Sequence, residues 1–184
     1  MTPLGFFHLG AELTLGAAST GNPMYDVPGD HLPALLSLAA LPIAAATIRL
    51  LAPRVPLAAR LLAGYQARPP LHRLAAWLLA ATAVLHLALV GHHDGVLGIL
   101  MIVDGVLLGL ATLLLLTGRR WRPLAGFLLI GSLIAWAGVT IAGSAPDQVG
   151  MVTKLIELGA LAIVLTPVSG ARIRGAMAGM TMVL

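Results

Sequence analysis

The chain has 184 residues, 59% of them hydrophobic and only 10% charged, with a mean hydropathy of +0.97, against roughly 25% charged in soluble domains. This composition specifies one membrane domain. The formal charge of +4 comes from Arg scattered between apolar runs, which reads as membrane orientation and excludes nucleic acid as a partner, while the absence of Cys excludes disulfides, thiolate metal sites, Fe–S clusters and covalent haem attachment.

Residues 1–31 read as an extracellular or interfacial segment. Their apolar patch, Pro3 to Ala18, is interrupted by His8 and Glu12 and is too short and too polar to span. No signal peptide is expected, because a basic n-region is missing. Turns follow at Gly21-Asn22-Pro23 and Val27-Pro28-Gly29-Asp30, where Pro fixes φ and Gly and Asn tolerate left-handed backbone. Leu32 to Leu51 is the first full span, and Pro42 at its middle should bend it. The connection from Ala52 to Arg73 carries Arg54, Arg60, Arg68 and Arg73 among four Pro residues. Its centre, Leu57 to Tyr65, predicts a short amphipathic helix on an anionic leaflet, with Arg60 outward and Tyr65 at headgroup level.

A membrane hairpin comes next. Leu74 to Gly91 is interrupted only by His86 and Val96 to Leu116 only by Asp104, each run being about 20 residues, enough to cross roughly 30 Å of hydrocarbon. Between them lies Gly91-His92-His93-Asp94-Gly95. Arg119, Arg120 and Arg122 close the hairpin with Trp121 as an interface anchor and Pro123 suited to the first turn of the next helix. Leu124 to Gly143 is an uncharged fourth span, Ser144 to Gly150 is a polar turn containing Asp147, and Met151 to Leu165 is the core of a fifth, stopped by Pro167. Lys154 and Glu157, three apart, share a face of that last helix.

The expected fold is therefore all-α, a polytopic bundle of about five transmembrane spans over residues 32–167, with a tail at 168–184. All ten Arg fall at 49–73, at 119–122 or in the tail, which the positive-inside rule makes cytoplasmic. The N-terminus is then outside. All seven acids and five of the six His lie in the outer half or beyond it, and His72 alone is on the inner side.

Counting helical rise from the outer ends puts Asp104 and Glu157 at roughly 13 Å depth, with His86 and Lys154 at roughly 8 Å, in two layers. A Lys and a protonated His would nearly neutralise the two carboxylates; with His neutral, one negative charge is left for a proton or cation to fill. Gly105 and Gly109 form a G-x-x-x-G step that lets another helix come close and hold Asp104 in protein rather than lipid. The competing reading is an ion-pair network that only holds the bundle together.

His92, His93 and Asp94 are a candidate divalent-metal site, since imidazole and carboxylate suit Zn²⁺ or Cu²⁺, although exposed His and Asp in a Gly-bounded loop are ordinary turn chemistry. His86 and His93, about 10 Å apart along a helix, can share one metal only if the helix ends near Gly91. Haem is disfavoured. His72 and His86 are 14 residues apart on one helix, a spacing reminiscent of four-helix cytochromes b, but no other span offers a facing His, which leaves only a single His-ligated haem. Met177, Met180 and Met182 suggest Cu(I) but lie on the cytoplasmic side and read as apolar anchors.

Between Arg73 and Leu165, His86 late in one span, then Gly98, Asp104 and Gly105 in a Gly-rich next span, and Glu157 in the last, resemble a widespread group of small bacterial, actinobacterial-type polytopic membrane proteins. The resemblance implies a multi-pass inner-membrane protein and brings no activity with it. Asp104, where a neutral Asn is expected, and Lys154 depart from the pattern.

Three functions compete. The first is binding or conduction of a cation, proton or metal ion at a buried outer-half site made by His86, Asp104, Lys154 and Glu157, with His92, His93 and Asp94 at its mouth. The second is a non-catalytic accessory subunit of a larger membrane complex, partnered by other subunits or by copies of itself. A metal-dependent or single-haem redox protein comes third, and an intramembrane enzyme ranks low because H-E-x-x-H, G-x-S-x-G and phosphate-loop motifs are missing.

Overall fold

The computed structural model describes residues 31–92, 95–143 and 147–166. They form seven α-helices: α1 (Leu32–Ser37), α2 (Ala40–Leu51), α3 (Pro56–Gln66), α4 (Pro70–Leu89), α5 (Gly95–Thr117), α6 (Arg122–Ile141) and α7 (Gln148–Leu165). A 3₁₀ turn, Val90–His92, ends α4, and no strand occurs among the described residues. Five stretches are long and apolar enough to cross a membrane, namely α1 with α2, and then α4, α5, α6 and α7.

Proline places most of the boundaries. Pro42 has no N–H for the carbonyl of Leu38, four residues earlier. The chain responds by tightening there: Leu38 O accepts instead from Leu41 N at 3.1 Å, and Ala39 N donates to Leu36 O at 3.0 Å. The bend expected from Pro42 is thus an interruption one turn before it, splitting the first span into α1 and α2. Val55 and Pro69 are extended, the backbone favoured before Pro, and Pro56 and Pro70 open α3 and α4. Helix α4 therefore starts four residues before the apolar run and takes His72 and Arg73 into its first turns. Pro123 sits in the first turn of α6. Asp147 caps α7, its Oδ1 accepting from Gly150 N at 2.6 Å, which starts that helix three residues before Met151.

Helices α4 to α7 pack around Leu79, Leu108, Leu115 and Leu129, with Ala75, Ala111, Ala125 and Ala160 between them. Small residues let backbones approach where lipid offers no hydrophobic drive. Gly105 is the tightest example on the α4 side, since a Cβ there would lie 2.8 Å from Leu87 Cγ and 3.0 Å from the Ala83 carbonyl, whereas Gly109 faces open space. Half of the expected G-x-x-x-G step is a packing surface within this chain. At the other end of α5, Gly118 adopts φ +81° and completes a Schellman cap, with Gly118 N on Leu115 O and Arg119 N on Leu114 O. A smaller cluster of Ala34, Leu85, Leu89 and Val149 seats α1 at the His86 end of the bundle. Outward faces carry exposed apolar side chains such as Ile43, Ile99, Phe127 and Ile134, as lipid contact requires.

Candidate functional site

Four ionisable side chains converge inside the bundle from three helices. His86 lies near the end of α4, Asp104 near the middle of α5, and Lys154 and Glu157 on one face of α7. Glu157 is fully buried, and His86 and Lys154 are nearly so. The His86 ring stands between the carboxylates, with Nδ1 2.6 Å from Asp104 Oδ2 and Nε2 3.1 Å from Glu157 Oε1. The Asp104 contact is a close ion pair without normal hydrogen-bond direction. Lys154 Nζ donates to both oxygens of Glu157, at 2.8 and 2.9 Å, which the i, i+3 spacing makes possible.

Ser132 of α6 joins the same site. Lys154 Nζ donates to its Oγ at 2.7 Å, and Ser132 Oγ donates to Glu157 Oε1 at 3.2 Å. Sequence reading missed it, because a lone Ser in an apolar helix commonly bonds back to its own carbonyls, as Thr82, Thr112 and Thr153 do here. The one available signal was that Ser132 is the only polar side chain in the middle of the fourth span.

The two layers expected from helical rise merge into one chain of contacts, Asp104–His86–Glu157–Lys154–Ser132. Backbone depth ignores side-chain reach: the long Lys154 side chain and the imidazole ring close the gap of one turn. With His86 doubly protonated and both carboxylates ionised, the charges sum to zero. With a neutral imidazole one ring nitrogen would present a lone pair to a carboxylate, so a proton must sit on His86 or on one of the acids. Of the four ionisable members Asp104 is the most accessible, its side chain 18% exposed.

Metal ligation fits this arrangement poorly. Lys154 occupies both oxygens of Glu157, both ring nitrogens of His86 face carboxylates, and no group of three His, Asp or Glu among the described residues is placed to hold a metal ion. Haem ligation at His86 would require dismantling the same contacts. His93 and Asp94 lie outside the described residues, as do Met177, Met180 and Met182; His92 closes the 3₁₀ turn, so α4 does end before Gly91.

Two further polar contacts tie helix ends together. His31, just before α1, pairs through Nδ1 with Asp147 Oδ2 at the start of α7. At the opposite end of the bundle Arg122 bonds His72 Nε2 at 3.1 Å and donates to the Thr166 carbonyl at 2.6 Å, while the Trp121 ring meets His72 edge-on at 5.7 Å. No family model, curated protein or solved structure matches the chain.

Proposed function

We propose that this is a multi-pass protein of the bacterial inner membrane that binds and exchanges a proton, or a small cation in its place, at the His86–Asp104–Glu157–Lys154 cluster. The observation that carries this reading is the position of His86 between two carboxylates. An imidazole can take a proton on one nitrogen and release it from the other without moving its backbone. Asp104, the exposed member, is the door; Glu157, held by Lys154 and Ser132, is the fixed end. Loss of the proton leaves one negative charge, which a cation can fill.

Binding is favoured over conduction. From Leu78 to Leu85 in α4 and from Gly105 to Leu116 in α5 the only polar side chains are the hydroxyls of Thr82 and Thr112, each bonded to its own helix, and α7 beyond Glu157 is apolar up to Leu165. The Arg distribution supports an N-terminus outside and a site opening outward. Single Cys at His93 and Arg120 should then label with an impermeant reagent from outside and inside respectively; the reverse pattern overturns the orientation. The site itself is tested by proton uptake of purified protein in liposomes. The Lys154→Met/Glu157→Gln double variant should fold but lose uptake.

The second reading, a non-catalytic structural subunit, draws on the zero net charge of the protonated cluster, which suits a packing device equally well. Full activity of the folded double variant in its native membrane would favour it and sink the proton site.

A further inference from the structure

The first span leaves a groove against the rest of the molecule. Helix α2 buries none of its side chains; it leans on α3, while α1 rests on α4. Between α2 and α4 lies a cavity of about 390 Å³ lined by Pro42, Ala45, Ala46, Arg49, Leu50 and Trp77. An adjoining one of about 200 Å³ shares Ala45, Arg49 and Trp77 and runs from Leu41 to Tyr65 and Leu116. Helices with small facing residues normally close up in a membrane. These do not, and an empty gap between apolar walls would forfeit the dispersion contacts of both.

Length and charge point to the occupant. From Leu41 to Arg49 the groove follows α2 for roughly 12 Å at the helical rise, comparable with one leaflet's share of the hydrocarbon core. One end is marked by polar groups: Trp77 Nε1 donates to Tyr65 OH at 3.0 Å, and the Arg73 guanidinium lies over the Tyr65 ring. Arg49 has no hydrogen-bond or ion-pair partner among the described residues. Among the described acids, Asp104, Asp147 and Glu157 are all engaged elsewhere. A ligand that brings its own negative charge suits Arg49, since a guanidinium matches phosphate through paired N–H donors. A zwitterionic headgroup would bring its own cation towards Arg49 and Arg73.

We propose that this groove binds one anionic phospholipid, an acyl chain lying between α2 and α4 and its phosphate on Arg49. This rests on the groove alone and is independent of the proton site. Trp77, in the wall, is the reporter. Full-length protein in phosphatidylcholine vesicles is titrated with brominated phosphatidylglycerol or brominated phosphatidylcholine, and tryptophan quenching is followed. Brominated phosphatidylglycerol should quench at a roughly tenfold lower mole fraction, the size expected of one charge-assisted contact. Trp77→Phe should remove that saturable component, and Arg49→Gln, an exposed change, should abolish the headgroup preference but not quenching itself. Equal quenching by the two lipids, or a preference that survives Arg49→Gln, overturns the proposal. So does protection of Trp77 from both lipids, which would place protein in the groove, or cross-linking between copies through Leu50→Cys.

Discussion

The first span and the α4–α7 bundle are both apolar enough to enter a membrane, yet they are built differently. In α4 and in α7, 39% of the apolar window is buried inside the protein; in the first span the share is 6%. Apolarity decides which segments enter lipid, where every apolar face is equally at home. Packing is decided by the exceptions to apolarity. The bundle has Gly105 and a row of Ala where helices touch, and buried charges that must find partners; α2 has neither a buried charge nor a buried side chain.

That contrast is broken most severely at the buried pair. Lys154→Met strips the cation from a fully buried Glu157 and should cost about 3–5 kcal/mol. Adding Glu157→Gln should restore much of the loss, as read by unfolding in mixed micelles. A single variant as stable as the double would mean that Glu157 does not need its partner.

Gly105→Ala comes next, since its Cβ would press on Leu87 and the Ala83 carbonyl; overpacking of this kind costs about 1–3 kcal/mol. Gly109→Ala, with open space around it, should be neutral or gain up to about 1 kcal/mol of helix propensity. Equal effects at the two glycines would mean that the Gly109 position is packed as closely as the Gly105 position. Ser132→Ala removes the acceptor of one Lys154 hydrogen bond and should cost about 1 kcal/mol.

The smallest effect is expected in the first span. Ile43 is 65% exposed on α2, so Ile43→Ala should change stability by no more than about 0.5 kcal/mol. A loss matching that of Gly105→Ala would show that the span is packed after all, and the comparison would fail.

The five apolar stretches and the helix starts set by Pro were legible in the sequence because length, hydropathy and Pro act locally. Pro42 announced a bend, and the geometry adds only that the break falls at Leu38, the carbonyl its ring leaves without a donor. The identity of the four ionisable residues of the cluster was equally visible, since charge within an apolar run has no other cheap explanation. Their grouping into one site was legible as well, but the merging of its two layers was not, because rise per residue places backbones rather than side-chain tips and so sets His86 and Lys154 a layer above the carboxylates they touch. Ser132 carried no charge to betray it, and nothing in the G-x-x-x-G pattern distinguishes Gly105, under Leu87, from Gly109. The long-range pairs His31–Asp147 and Arg122–His72 depend on how helix ends meet, which no local pattern encodes.

Lys154 is the only lysine in the chain, and its ammonium is held by Glu157 and Ser132 inside the bundle. The sole ε-amine is therefore a built-in clock for opening of the cluster. A reagent that acylates free amines can reach it only when the pair parts and the amine surrenders its proton. The rate at which this one side chain gains mass in the folded protein then measures how often the buried charges come apart, with no engineered probe in the site.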